Sequence, residues 1–183
     1  MFISLGSNCC VTYQLNKYNK RNISFPFDWT KIKINQLINI LENDFEKYTE
    51  LIPKYISEKY DDSYLITNKY KITFAHELFD KYKIEDFQDK LLNRIENFKK
   101  YKDNNDITYI RIELSPLKES YQIKLDKLME LLKDAKLILI ISSKSYIPKL
   151  SSNIILYTFS DFNDDWQRND IDWFNILHTN TPI

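Results

Sequence analysis

Apolar positions along this chain follow two periods, and the change from one to the other marks its elements. Leu137 to Ile141 is an unbroken aliphatic run, so Lys136 to Ser142 is predicted to be a strand buried on both faces. Ile107 to Leu114, Asn153 to Thr158 and Met1 to Leu5 read as further strands. After Pro116, Tyr121, Leu125, Leu128 and Leu132 recur at helical spacing. Strand, helix, strand with such an apolar core strand predicts a buried parallel sheet with right-handed connections.

Helical spacing recurs elsewhere. Val11, Leu15 and Tyr18 predict a first helix from Cys9 to Tyr18, broken by Asn19 to Asn22. Ile34, Leu37, Ile38, Leu41 and Phe45 predict a second, and Phe87, Leu91, Ile95 and Phe98 a third over Asp86 to Tyr101. Tyr48 to Asp62 is mixed, and Pro53 interrupts any helix there. Tyr64 to Phe74 predicts a hairpin turning at Asn68-Lys69, with Asn68 in the left-handed position. The aromatic, acidic stretch Asp161 to Leu177 carries Trp166 and Trp173 seven residues apart, which predicts a terminal helix docked by its tryptophans. The expected fold is α/β: one layered domain over 1–183, with a mostly parallel sheet (strands near 1–5, 107–114, 136–142 and 153–158) flanked by helices, plus a short hairpin near 64–74.

Composition narrows the class. With 183 residues, 43% hydrophobic and 15% aromatic, the chain can bury a proper core. Lys plus Arg and Asp plus Glu balance at 26 each, so net charge offers no basis for nucleic-acid binding. No apolar run approaches the length of a membrane span, and the N-terminus lacks the basic and apolar regions of a secretory leader. Two adjacent cysteines cannot staple a secreted scaffold, so a reducing, cytoplasmic setting is expected, the host cytoplasm if the chain is viral. The abundance of Lys, Asn, Ile, Tyr and Phe reflects A/T-rich codons rather than chemistry.

Candidate chemistry centres on Ile3-Ser4-Leu5-Gly6-Ser7-Asn8-Cys9-Cys10-Val11, which holds the single glycine and both cysteines. A lone glycine between strand and helix serves a dihedral other residues resist. Ser7 or Asn8 can cap the helix, and a cysteine in the first turn gains thiolate character from the helix dipole. The alternative is a small core residue. A cysteine nucleophile needs a base. His76, after the second hairpin run, sits inside the body of the chain, whereas His178 lies near the terminus; His76 could equally be a hydrogen-bonded structural residue. Asp28, within Phe25-Pro26-Phe27-Asp28-Trp29, is a carboxylate in apolar surroundings. It either caps the next helix, pairs with a basic group or serves an active site. Zinc spacings, glycine-rich phosphate loops and a G-x-S-x-G elbow are absent from the sequence. Asp161, Asp164, Asp165, Asp170 and Asp172 could gather a cation but read better as solvated surface, so neither metal nor cofactor is expected.

These residues resemble a known family. Ser4-Leu5-Gly6-Ser7-Asn8-Cys9, then Tyr13-Gln14-Leu15, Arg21 and Ser24-Phe25-Pro26-Phe27-Asp28-Trp29, are similar to the opening signature of the DUF1796 family, described as "putative papain-like cysteine peptidase" and found in bacteria and large DNA viruses. Phe74-Ala75-His76 is similar to a later family stretch, as are Arg94 with Phe98, Arg111 within Tyr109-Ile110-Arg111, and Trp166 with Trp173. Glu77 stands where the family usually has aspartate. The resemblance implies Cys9 as nucleophile and His76 as base, and an antiparallel sheet bringing the histidine to the cysteine helix. Cys10 is off the motif.

Three functions follow as expectations. The first is a papain-like cysteine peptidase or related thiol hydrolase, with Cys9, His76 and Asp28 catalytic and Ser7, Asn8 and Arg111 binding a protein or small-molecule substrate. The second, from the parallel sheet, is a Rossmann-like transferase or ligand-binding module for a nucleotide or sugar, its pocket lined by Ser7, Asn8, Arg111 and Ser142. The third is a non-catalytic interaction protein. Neither nucleic acid nor membrane is an expected partner.

Overall fold

The chain is described by a computed structural model that covers residues 1–55, 64–79, 84–160 and 165–180, with the side chains of 54–55, 64–65 and 75–79 excepted. The elements run β1 (Phe2–Ser4), α1 (Cys9–Lys17), α2 (Ile34–Glu42), β2 (Leu51–Tyr55), β3 (Tyr64–Asn68), β4 (Thr73–Phe79), α3 (Ile84–Tyr101), β5 (Thr108–Glu113), α4 (Tyr121–Leu131), β6 (Lys136–Ser142), β7 (Ile154–Phe159) and α5 (Trp173–Thr179). Strands β1, β5, β6 and β7 lie side by side in that order and are parallel throughout, with Phe2 beside Thr108, Thr108 beside Lys136 and Leu137 beside Ile154.

The period of two along each strand divides the core between two faces. Ile3, Tyr109, Leu137, Leu139 and Ile141 pack with Leu37 and Ile40 of α2, Leu91 and Phe98 of α3, and Leu125 and Leu128 of α4. Phe2, Ile110, Ile112, Ile138 and Ile140 face the other way, against Cys10, Val11 and Leu15 of α1 and Trp173, Ile176 and Leu177. With helices on both faces, β6 must be apolar throughout, which explains its unbroken aliphatic run.

A separate antiparallel sheet of order β2-β3-β4 carries the hairpin. Its edge strand β2 holds Pro53, opposite Ile66, where a missing N–H costs least. Ile66, Ile72 and Phe74 tie this sheet into the α2–α3–α4 side of the core.

Three details differ from the sequence expectations. At the hairpin turn, the positive φ of 59° falls on Lys71 rather than Asn68. Asn68 acts through its side chain instead, accepting from the Tyr70 and Ile72 amides and donating to the Tyr48 carbonyl. The second helix ends at Glu42, because Asp44 and Phe45 take positive φ and turn Phe45 inward against Phe27, Tyr48 and Phe98. The two C-terminal tryptophans do not share a helix: only Trp173–Thr179 is helical. Asp165 draws the Gln167 and Asn169 amides into a turn, and Arg168 has φ 53°, so the helix cannot begin earlier. Trp173 is buried with its Nε1 donating to the Arg168 carbonyl, whereas Trp166 stays half exposed, edge-on to Tyr13. Among the described residues no helix is long and apolar enough to cross a membrane.

Arg111 is a structural rivet of the main sheet. From β5 it donates through Nη1 to the Leu5 carbonyl (3.1 Å) and through Nη2 to the Ile32 carbonyl (3.1 Å), and through Nε to Glu113 Oε1 (2.7 Å). The Tyr121 hydroxyl also donates to Glu113. Burial opposes its charge, but Glu113 and Tyr121 hold its pKa above the ordinary value. With the guanidinium at 0% exposure, the expected substrate-facing arginine is enclosed, its donors drawn to β1 and the segment around Ile32. Arg111→Met will leave those acceptors and Glu113 unmatched and lower stability by about 3 kcal/mol or more, measured by urea unfolding.

Candidate functional site

The site is built from the turn after β1. Gly6 has φ 71°, and a Cβ there would stand 3.1 Å from Thr30 Oγ1 and 3.3 Å from the Ile32 side chain. Both the dihedral and the space penalise any side chain at this position. Ser7 follows at φ 75°. Asn8 then returns to extended backbone (φ −150°, ψ 151°), and its Oδ1 accepts from the Cys10 amide at 2.9 Å. Asn8 is therefore the helix cap, and Cys9 the first helical residue, at the carboxyl end of the parallel sheet.

Both cysteines are thiols. Cys10 belongs to the core beside Val11 and Ile110, and burial pushes its pKa to about 12 although Arg168 pulls it down. Cys9 is 6% exposed. Burial pushes its thiol up as well, opposed by Lys31 and its own backbone amide. The expectation of a lowered thiol at a helix start is thus reversed: desolvation outweighs the helix end.

The second motif folds around Asp28. Its Oδ2 accepts from Arg21 Nη2 at 2.7 Å and from the Phe25 amide at 2.6 Å, closing the Phe25-Pro26-Phe27-Asp28 turn. Its Oδ1 accepts from Thr12 Oγ1 at 3.3 Å. Burial raises the Asp28 pKa, against Arg21, the Phe25 amide, Arg94 and Thr12, which all favour the carboxylate. Thr12 Oγ1 also accepts from the Trp29 amide at 3.3 Å, so a residue of α1 stitches the two motifs together. Asp28 therefore pairs with a basic group and caps its own turn, not the helix that follows.

Gly6 lies against Thr30 and Ile32, and Thr12 of α1 bonds Asp28, so the Gly6–Cys9 turn and the 28–32 segment are neighbours, with Arg111 bonded to the Leu5 and Ile32 carbonyls. His76 lies in the interior of β4, on the antiparallel sheet, rather than at a strand end. Its side chain, like that of Glu77, is outside the described residues. Ser142 ends β6 and accepts from the Lys144 amide. His178 stacks on Phe174 and contacts the Phe174 carbonyl through Nδ1. Of the acidic tail, Asp161 and Asp164 lie outside the described residues. Asp165 accepts from the Gln167 and Asn169 amides, Asp170 pairs with Arg168, and Asp172 caps α5. No group of three metal-binding side chains occurs among the described residues. Thr12 escaped the sequence reading. The signal for it was weak: a hydroxyl three residues after Cys9, on the same side of the helix.

Residues 1–158 match the family described as "Putative papain-like cysteine peptidase (DUF1796)". An uncharacterized protein of Acanthamoeba polyphaga mimivirus is 29% identical over 216 aligned positions, spanning 97% of this chain and 96% of that protein. No solved structure matches.

Two outcomes follow from the turn and the thiols. Gly6→Ala forces a Cβ onto Thr30 and Ile32 at an unfavourable φ and will cost about 2 kcal/mol or more in urea unfolding. Between the ordinary thiol value of 9.0 and about 12, folded Cys10 keeps a proton that the unfolded chain loses. Its share of stability is present below pH 9 and is lost as pH rises through that window. By pH 11 the loss is about 3 kcal/mol, and Cys10→Ala will flatten the stability–pH curve by that amount.

Proposed function

The chain belongs to the DUF1796 family, and on that premise we propose that it is a thiol hydrolase of papain-like chemistry, acting on an amide or ester through Cys9. The observation that carries the reading is the placement of Cys9 as the first residue of α1, after a turn that favours glycine. Because burial keeps this thiol protonated, a base has to take the proton as attack occurs. His76, at the family position and on the antiparallel sheet, fills that role in the proposal.

In the first step the Cys9 proton passes to the His76 ring as sulfur bonds the substrate carbonyl carbon. The C–N or C–O bond then breaks, and the imidazolium returns the proton to the leaving group. Water, deprotonated by the same imidazole, cleaves the thioester and restores the thiol. The Cys10 amide is already taken by Asn8, so the backbone amides of Ser7 and Asn8 are the proposed donors to the developing oxyanion. Asp28 supports the site by shaping the 25–28 turn, and Arg111 braces the floor. The chemistry requires a reducing compartment, in keeping with a cytoplasmic setting.

One observation favours a second reading, as a ligand-binding module for a nucleotide or sugar. A cavity of about 470 Å³ opens at the carboxyl ends of β6 and β7, lined by Ser143, Phe159, Ser160, Asp170 and Asp172 among others, and by none of the expected Ser7, Asn8, Arg111 or Ser142. Open parallel sheets bind ligands at that end. Stabilisation by nucleotides or nucleotide sugars in a thermal-shift screen, with Ser143 at the contact, would favour it.

Iodoacetamide or a peptidyl vinyl sulfone will modify Cys9 over Cys10 by about tenfold or more. Cys9→Ala will abolish the modification, and His76→Ala will slow it about 100-fold. Equal modification of His76→Ala and the parent chain, followed by mass spectrometry, refutes the dyad.

A further inference from the structure

The cavity at the carboxyl ends of β6 and β7 has walls that the fold holds in place. On one side, the Ser143 amide donates to the Phe159 carbonyl at 2.8 Å and the Ser143 hydroxyl to the Ser160 carbonyl at 3.2 Å, which ties the two strand ends together. On the other, Arg168, buried at 1% exposure, grips Asp170 with two bonds, Nε to Oδ1 at 2.8 Å and Nη2 to Oδ2 at 2.7 Å. The same guanidinium lies 4.2 Å from the centre of the Phe159 ring, so it joins both walls. Asp172 Oδ1 accepts from the Asn175 amide at 3.0 Å, at the start of α5.

Tyr157 adds a donor to the lining. Asn180, buried beside it, donates through Nδ2 to the Tyr157 hydroxyl at 2.9 Å and to the Ile176 carbonyl at 2.8 Å. The atom that bonds a carbonyl has to be the amide nitrogen, so the Tyr157 oxygen accepts and its own proton remains to be donated. That proton has no acceptor among the described residues, and Tyr157 lines the cavity.

The charge of the lining has one sign. Among the described residues that line the cavity, Asp170 and Asp172 are ionised and no lysine, arginine or histidine joins them. Arg168 neutralises Asp170, which leaves the charge of Asp172 uncompensated. A phosphate here would meet a carboxylate and no cation. Hydroxyl and ammonium groups would meet acceptors at both aspartates and a donor at Tyr157.

We propose that this cavity binds an unphosphorylated amino sugar, with the ammonium against Asp172 and hydroxyls on Asp170, Tyr157 and Ser143. This rests on the ligand-binding reading of the same cavity and narrows the class of ligand, because the lining selects against nucleotides and sugar phosphates. It does not depend on Cys9.

The test is a titration of the ¹⁵N-labelled full-length chain, followed by NMR at physiological salt, with glucosamine, glucose and glucosamine 6-phosphate. Glucosamine will shift the Ser143, Ser160 and Asn175 amides and bind about threefold or more tighter than glucose, the scale of one partly screened charge. The 6-phosphate will bind about threefold or more weaker than glucosamine. Asp172→Asn keeps a side chain that caps α5, and it will abolish the preference for glucosamine over glucose. Tyr157→Phe will weaken both sugars alike, by about fivefold, the worth of one hydrogen bond. A merely structural Asp172 would leave the preference intact, which overturns the proposal, as does equal binding of glucose and glucosamine by the parent chain. If Asp172→Asn does not fold, the order of the ligands on the parent chain decides. Tighter binding of the 6-phosphate, or of nucleotides alone, overturns the amino-sugar assignment and retains the ligand-binding reading; no shift with any sugar or nucleotide removes both.

Discussion

Everything around the candidate site depends on one close approach, that of Thr30 and Ile32 to the backbone of Gly6. A Cβ at residue 6 would sit 3.1–3.3 Å from both side chains. Because nothing is there, the 28–32 segment can lie against the turn between β1 and α1. That contact sets the turn from which α1 and Cys9 begin. The same segment carries the Ile32 carbonyl that accepts from Arg111.

Two buried cations hold this arrangement, by different means. Arg111 is fully enclosed, and it remains charged because Glu113 and the Leu5 and Ile32 carbonyls surround it. Arg21 is paired with Asp28 at 2.7 Å, with both side chains nearly closed to solvent. Buried pairs of this kind contribute little net stability compared with apolar residues of the same shape. What they supply is geometry, since a misplaced loop would leave an unmatched charge in the interior. Both fix the walls of one turn, which suits a site whose atoms must stay in place.

The thiol itself shows the competition between two effects. A helix start favours thiolate, and burial disfavours it; at Cys9 burial prevails, with Lys31 in partial opposition. A thiol in that state keeps its proton until a base takes it. At 6% exposure the thiol is also closed to most of the solvent.

The parallel sheet was legible in the chain because burial on both faces of β6 demands an unbroken aliphatic run, a demand that acts locally. The strand–turn–helix around Gly6 and the Asn8 cap were legible for the same reason: each involves neighbours in sequence. Asn68 and the Trp166–Trp173 pair misled because side-chain hydrogen bonds, not residue type or spacing, set the local dihedrals there. By itself, then, the sequence determined the elements, the order of alternating apolar faces and a cysteine at a helix start. Only the tertiary structure decided that Arg111 is enclosed, that Asp28 belongs to Arg21, and that Thr12 joins two motifs sixteen residues apart. The physical reason is that burial and charge pairing depend on which distant segments meet, and spacing along a chain does not encode that meeting.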